Sequence, residues 1–134
     1  MPEKLNCVLL IDDNENDNYY HMIVLKEADI AHHIHVAESG SEALDYLNRE
    51  NQTTELIFLD INMPTMSGWE FLEKYTKLSP NKKAQTVIIM LTTSLNPADR
   101  KKAQEASVNG FELKPLTTEI IQRILKEHFQ TKTG

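Results

Sequence analysis

The sequence predicts an α/β domain in which helices cover both faces of a five-stranded parallel β-sheet. Five short apolar runs alternate with five helical segments along the 134 residues, and this alternation within one small domain is typical of a parallel sheet. The apolar runs are too short for helices. They are also almost continuously hydrophobic, as strands buried on both faces are.

The composition is that of an ordinary globular domain, with 40% hydrophobic and 25% charged residues. The length favours a single domain over residues 1–134 without an output domain. A net charge of −6 argues against nucleic-acid binding. The single cysteine excludes an internal disulfide and favours a reducing compartment. No apolar stretch is long enough to span a membrane, so we expect a cytoplasmic protein.

The first strand is predicted over 7–11, and Asp12 and Asp13 follow it at once. A helix is expected from Asn14 to Ala28, with Asn14 or Asn16 as its N-cap. Helical spacing indicates that its buried stripe consists of Tyr20, Ile23, Val24 and Ala28.

The second strand is weaker and is predicted over 33–37. Ser39, followed three residues later by Glu42, is a capping-box pattern that begins the second helix. Three histidines lie close together at the start of this strand, but no acidic or cysteine partner follows them with metal-ligand spacing. We interpret them as loop and edge residues: His32, His33 and His35.

The third strand runs from Leu56 directly into Asp60, and a buried strand carries a carboxylate only where the chain emerges into a cleft. Pro64 and Gly68 mark the loop that follows. The next helix carries packing residues and is expected to end at 79–81; its apolar residues are Trp69, Phe71, Leu72 and Tyr75.

The fourth strand is predicted over 86–91 and ends at Thr92, with Thr93 as the alternative site residue. Asn96 and Pro97 then signal a mostly polar, exposed helix to about residue 106. A short fifth strand over 110–113 ends at Lys114, and the last helix is expected over 117–130.

The predicted strand ends supply one set of polar groups. In a parallel sheet the carboxyl ends of the strands lie on the same side, and ligands bind where the strand order reverses. In a 2-1-3-4-5 order, the first and third strands are neighbours, which brings Asp12, Asp13 and Asp60 together beside Thr92 and Lys114. Taken alone, the Asp12–Asp13 pair would more often be a strand-end turn than a metal site.

Three neighbouring carboxylates repel one another and favour a hard cation, for which Mg²⁺ is the best fit. A phosphoryl group would find the ammonium of Lys114 and the hydroxyl of Thr92 as further partners. The set therefore favours a carboxylate nucleophile that becomes an aspartyl phosphate.

These residues resemble the receiver domain of two-component response regulators. The resemblance rests on Asp12-Asp13, on Asp60 followed by Ile-Asn-Met-Pro, on Met66-x-Gly68, on Thr92 and on Lys114-Pro115. It extends from about Val8 to Phe129 and implies a flavodoxin-like fold with the strand order 2-1-3-4-5. The single-domain chemotaxis response regulator is the architectural parallel.

The resemblance also implies roles at the site. Asp60 would accept a phosphoryl group from a sensor histidine kinase or a histidine phosphotransfer protein. Asp13 and Asp60 would ligate Mg²⁺ by side chain, Asn62 by its backbone carbonyl and Asp12 mainly through water. Lys114 would pair with the phosphate, before a cis bond to Pro115.

The resemblance further implies a conformational switch. Thr92 would move to bond the phosphate and Phe111 would turn inward, changing how the face of the fourth helix, fifth strand and fifth helix binds a downstream target. Ser67, where many members carry aspartate, is expected only to cap the third helix. The protein would be a monomer or a phosphorylation-dependent dimer, and would catalyse only its own phosphorylation and dephosphorylation.

Three rival functions remain open to test. A Mg²⁺-dependent phosphatase with an aspartyl phosphate needs a second acid two residues after the nucleophile, where this chain has Asn62. A receiver-like module that is never phosphorylated would not need the intact set of polar residues. A flavin carrier would need a phosphate-binding loop rich in Ser, Thr and Gly after the first strand.

Overall fold

The computed structural model describes residues 4–49, 53–63, 66–77, 86–93, 96–106 and 108–129. The expected loop proline Pro64 and the expected helix end at 79–81 lie outside these residues. Five parallel strands form one sheet in the order β2-β1-β3-β4-β5, which confirms the predicted fold class. The strands are β1 (Leu5–Ile11), β2 (Ala31–Ala37), β3 (Leu56–Asp60), β4 (Val87–Thr92) and β5 (Gly110–Leu113).

Helices connect the strands and cover both faces of the sheet. Within the described residues they are α1 (Glu15–Ala28), α2 (Gly40–Arg49), α3 (Gly68–Tyr75), α4 (Pro97–Glu105) and α5 (Thr118–His128). One apolar cluster joins the sheet to α1 and α5, and a second joins the opposite face to α2 and α3. Every residue of β3 and β4 is buried, because these central strands are covered on both faces.

The helices begin at polar caps that the sequence signals. The side chain of Asn14 accepts from the backbone N–H of Asp17 at 3.0 Å, so Asn14 rather than Asn16 is the cap of α1. Ser67 caps α3 through a complete capping box with Glu70, as expected for a local role. Asn96 caps α4 by accepting at its side-chain oxygen from the backbone N–H of Ala98 at 2.8 Å.

The starts of two strands and the buried face of α1 differ from the predictions. Strands β1 and β2 begin at Leu5 and Ala31, each two residues earlier than expected. The buried face of α1 is also displaced, since Tyr20 and Ile23 are 44% and 40% exposed. Val24 is buried as predicted and Ala28 packs against the same apolar cluster, but the other residues that α1 buries are Asn18, His21 and Leu25. Each of the two polar side chains has one hydrogen-bond partner from another segment, while Oδ1 of Asn18 and Nδ1 of His21 have none among the described residues.

Strand β2 is an edge strand, as expected from its histidines. His32 and His33 are exposed, and the ring of His35 stacks on Tyr46 at 3.9 Å between centroids. Each helix in the described part of the chain is either too short or too polar to cross a membrane.

Candidate functional site

The carboxyl ends of the central strands bring three aspartates together. Ile11 and Leu59 are register partners on β1 and β3, so Asp12 and Asp60 follow them at the same edge. One carboxylate oxygen from each of Asp12, Asp13 and Asp60 lies within 4.8 Å of the other two. Asp12 and Asp60 are 3% and 6% exposed, whereas Asp13 is open to solvent. The site is therefore buried at Asp12 and Asp60 and accessible to solvent at Asp13.

Asp12 is fixed at its position by backbone and side-chain contacts. Its Oδ1 accepts from the backbone N–H of Asn14 at 3.0 Å, and its backbone N–H donates to the carbonyl of Ala37 at 3.1 Å. The side-chain amide of Asn18 donates to the backbone carbonyl of Asp12 at 2.8 Å. These bonds come from the turn between β1 and α1, from β2 and from α1, and they hold the carboxylate rigid.

Lys114 extends its side chain into the three-aspartate site. Its Nζ lies 2.6 Å from Oδ2 of Asp12, 2.9 Å from Oδ2 of Asp17 and 3.4 Å from Oδ1 of Asp60. Its backbone N–H donates to the carbonyl of Thr92 at 2.8 Å, which ties the end of β5 to the end of β4. The Lys114–Pro115 peptide bond is cis. The ammonium is the cation that compensates the buried carboxylates.

Burial and neighbouring charges shift the pKa values of both Asp60 and Lys114. Burial, together with the negative charge of Asp12, raises the pKa of Asp60 to about 6 against the opposing effect of Lys114. Burial alone would lower the pKa of Lys114, but its hydrogen bonds to Asp12 and Asp17 outweigh burial and raise it. Lys114 therefore stays charged at neutral pH, and most of Asp60 is ionised.

Ile61 and Gly68 lie close against the end of β3 that carries Asp60. The backbone N–H of Ile61 donates to the carbonyl of Leu91 at 3.2 Å, and that of Gly68 donates to the carbonyl of Ile61 at 2.9 Å. A β-carbon at position 68 would lie 2.7 Å from the backbone oxygen of Asp60. Only glycine allows this approach, which explains the Gly68 of the sequence motif.

The remaining sequence-predicted residues lie around this edge. Thr92 is buried at the end of β4, one residue beyond Leu91, the register partner of Asp60. Asn62 is exposed two residues after Asp60. Phe111 is half-buried in β5 and packs against the cluster beneath α2 and α3.

Two residues at the site escaped the sequence analysis. Asp17 is an ion-pair partner of Lys114, and His21 accepts at Nε2 from the backbone N–H of Leu116 at 3.2 Å. Burial and the nearby charge of Lys114 lower the pKa of His21, so the imidazole is neutral. One sequence signal could have found them. Asp17 and His21 are four residues apart on the helix that follows Asp12 and Asp13, so they share one helical face.

The donor set fits a hard cation. It consists of carboxylate oxygens without sulfur or imidazole ligands, and its exposed member Asp13 leaves room for water ligands. The three carboxylates can bind a metal ion, and oxygen-only coordination with retained waters is the arrangement that Mg²⁺ prefers.

Known proteins share both the sequence pattern and the fold. The family model of the response regulator receiver domain matches residues 8–126. A chemotaxis protein CheY homolog from Campylobacter jejuni is 34% identical over 98 residues, which cover 73% of this chain and 73% of that protein. The two-component response regulator ORR1 of Oryza sativa subsp. indica is 28% identical over 125 residues. That match covers 89% of this chain, which spans only 53% of the rice protein.

Solved structures of receiver proteins have the same fold as this chain. A two-component response regulator from Cytophaga hutchinsonii superposes with a TM-score of 0.85 at 28% identity, covering 93% of this chain and 97% of that one. Chemotaxis protein CheY4 of Vibrio cholerae gives a TM-score of 0.79 at 26% identity, with 93% and 99% covered. The chain therefore belongs to the response regulator receiver domains, the phosphoacceptor switches of two-component signalling.

Proposed function

We propose that Asp60 is the residue that accepts the phosphoryl group. The observation that carries this proposal is the position of its carboxylate, buried at the end of the central strand with the Lys114 ammonium 3.4 Å away. The carboxylate is largely ionised at neutral pH, because a pKa of about 6 lies below that pH. An ionised oxygen beside a fixed cation suits nucleophilic attack on a phosphoryl group.

The donor is a phosphohistidine of a sensor histidine kinase or of a phosphotransfer protein. An oxygen of Asp60 forms a bond to phosphorus as the bond between phosphorus and the donor imidazole nitrogen breaks. The nitrogen keeps the electron pair and takes up a proton, so a neutral histidine leaves. Lys114 donates to an oxygen of the transferred group, and Thr92 contributes its hydroxyl to another.

The metal would be Mg²⁺, and the residues that would hold it are Asp13 and Asp60 by side chain, Asn62 by its backbone carbonyl and Asp12 mainly through water. When bound, it supplies positive charge that neutralises the oxygens of the transferred phosphoryl group. This assignment is supported by the three carboxylates within 4.8 Å of one another and by the exposure of Asp13. Lys114 fits beside such an ion as a second, fixed positive charge.

The output is a change in protein–protein contact on the face of α4, β5 and α5. Movement of Thr92 towards the phosphoryl group would disturb β5, because the carbonyl of Thr92 accepts from the backbone N–H of Lys114. Phe111, three residues before Lys114 in the chain, is only half-buried in the unphosphorylated protein and would turn inward. The face then binds a downstream target or a second copy of the chain. The protein works as a switch or relay and catalyses only its own phosphorylation and dephosphorylation.

The test is phosphorylation by a small phosphodonor such as acetyl phosphate with Mg²⁺, followed by intact-mass measurement. The wild type should gain one phosphoryl group that hydroxylamine removes, and Asp60→Asn should gain none. Asp45→Asn, the same substitution at an exposed position on α2, is the matched control and should react like the wild type. Undiminished hydroxylamine-sensitive phosphate in Asp60→Asn would refute the assignment, and steady release of phosphate from many phosphomonoester molecules would favour a phosphatase.

A further inference from the structure

Lys114 is shared among three carboxylates, and the one from α1 is nearer to it than Asp60 is. The Nζ of Lys114 lies 2.9 Å from Asp17 and 3.4 Å from Asp60. An ammonium group has three N–H donors, and Asp12 and Asp17 accept hydrogen bonds from two of them. In the unphosphorylated protein, therefore, much of the positive charge of Lys114 is already neutralised by groups other than the proposed acceptor.

The neighbouring turn of α1 holds the backbone on which Lys114 sits. His21 lies four residues after Asp17 on the same helical face, and its Nε2 accepts from the backbone N–H of Leu116. His21 is 1% exposed, so its contact is closed to competing water. One face of α1 thus binds the segment 114–116 twice, once at the charged side chain and once at the backbone.

We propose that Asp17 is a positioning residue that restrains Lys114 in the unphosphorylated state and opposes phosphorylation. It competes with the incoming phosphoryl oxygens for the same ammonium group. This inference rests on the proposed role of Asp60 and adds a regulatory element on a different segment of the chain. His21 makes the competition effective, because it keeps the backbone at 114–116 within reach of α1.

Asp17 opposes phosphorylation in either of two cases: Lys114 breaks its ion pair with Asp17, or it shares its N–H donors between Asp17 and the phosphoryl oxygens. In the first case the ion pair must break before the phosphoryl group is fully bonded. In the second case Asp17 cancels part of the charge that the phosphoryl group needs. Either way, replacing the carboxylate by a neutral amide of the same shape favours the phosphorylated state.

The experiment compares the wild type with Asp17→Asn for binding of beryllofluoride, an analogue of the phosphoryl group, at saturating Mg²⁺. We expect Asp17→Asn to bind beryllofluoride roughly twofold to fivefold more tightly, the range of an ion pair with a partly exposed carboxylate. The acyl phosphate formed from acetyl phosphate should be longer-lived by a similar factor. Asp17→Glu, which restores the charge, should return both values towards the wild type.

The matched control is Glu15→Gln, which removes an exposed carboxylate from the same first turn of α1. It changes the net charge equally and should leave beryllofluoride binding unchanged. The affinity for Mg²⁺ alone separates competition for Lys114 from a general loosening of the site. Freeing Lys114 to pair with Asp60 should weaken Mg²⁺ binding while it strengthens beryllofluoride binding. A loosened site would weaken both, and that result would overturn the proposal.

Equal beryllofluoride affinities for Asp17→Asn and Glu15→Gln would also overturn the proposed role of Asp17. If the wild type is phosphorylated normally in that case, the proposed role of Asp60 is unaffected. If the wild type neither binds beryllofluoride nor accepts a phosphoryl group, both the role of Asp17 and that of Asp60 are refuted.

Discussion

The backbone oxygen of Asp60 lies 2.7 Å from the point where a side chain at Gly68 would begin. The α-carbon of Ile61 is 3.1 Å from the same point, so backbone blocks the space on two sides. The start of α3 is therefore packed directly against the strand end that carries the proposed acceptor.

Gly68→Ala should lower the free energy of unfolding by about 1–3 kcal/mol, because backbone atoms cannot move aside as a flexible side chain can. It should also slow phosphorylation, since the displaced atoms carry Asp60. Gly40→Ala is the matched control, because the three atoms nearest the new methyl group all belong to the flexible side chain of Met66. Urea unfolding and acetyl phosphate labelling measure both effects. Equal losses in the two variants would contradict the role assigned to Gly68.

Asp60 should give the stability a distinctive pH dependence. Its pKa is raised from 3.8 to about 6 in the folded protein, so between those values the folded state binds more protons than the unfolded state. The contribution of Asp60 to stability is therefore present at low pH and is lost as pH rises through that window. At pH 8 without Mg²⁺, Asp60→Asn should be more stable than the wild type by roughly 1–3 kcal/mol.

The difference between Asp60→Asn and the wild type should shrink towards about pH 4, where Asp60 is protonated in the folded protein and about half protonated in the unfolded chain. Urea unfolding in EDTA across this range measures it. A difference that stays constant with pH would contradict the raised pKa of Asp60.

Lys114 and a bound metal ion should compete for the same negative charge. Lys114→Met leaves buried carboxylates without their cation and should cost about 2–4 kcal/mol of stability in EDTA. The variant should bind Mg²⁺ more tightly than the wild type, and saturating Mg²⁺ should restore part of the loss. Thermal unfolding with and without Mg²⁺ measures this, with Lys101→Met on the exposed surface of α4 as control. Weaker Mg²⁺ binding by Lys114→Met would refute the competition.

His21 should stabilise the protein mainly above its ordinary pKa. Its pKa is lowered in the folded state, so below about pH 6.5 the unfolded state binds more protons. The stability that neutral His21 contributes is present above that pH and is lost as pH falls towards its folded-state pKa.

His21→Leu should destabilise the protein by about 1–3 kcal/mol at pH 8, because the backbone N–H of Leu116 loses its acceptor. The destabilisation should be smaller at pH 5, and His21→Gln, which can offer an acceptor, should lose less at pH 8. Urea unfolding at the two pH values measures this. An equal cost of His21→Leu at both pH values would argue against a neutral, hydrogen-bonded histidine.

Trp69 offers a spectroscopic probe of the proposed switch. It is the one tryptophan of the chain, and the ammonium of Lys102 on α4 lies 5.2 Å from its ring centroid on α3. Beryllofluoride with Mg²⁺ should change its fluorescence in the wild type if α4 moves, and the change should be much smaller in Lys102→Met. Asp60→Asn is the negative control. Unchanged emission from beryllofluoride-bound wild type would contradict a movement of α4 relative to Trp69.

The sequence predicted the strand ends well because each apolar run stops abruptly at a polar residue. Asp12, Asp13, Asp60, Thr92 and Lys114 all follow such runs, and parallel topology then brings them to one edge. The alternation of strands and helices follows from the same signals, whereas the strand order 2-1-3-4-5 was implied by the resemblance to receiver domains.

The inner face of α1 could not be predicted in the same way. Helical periodicity assigned Tyr20 and Ile23 to the core, yet Asn18 and His21 are buried there instead. Polar groups can be buried only where partners satisfy them, and the partner of His21 is the backbone N–H of Leu116, 95 residues away in the chain. A local pattern contains no information about that partner, and the same holds for Asp17 and Lys114.

The contact between Lys114 and Asp12 joins residues 102 positions apart. During synthesis or refolding, the aspartates of β1 and β3 can meet before β5 is available, and they then repel one another without their ammonium group. Completion of the sheet is what removes this repulsion. A chain in which β5 has not docked lacks the Lys114 ammonium at the site, so we expect it to be less stable and to respond poorly to a phosphodonor.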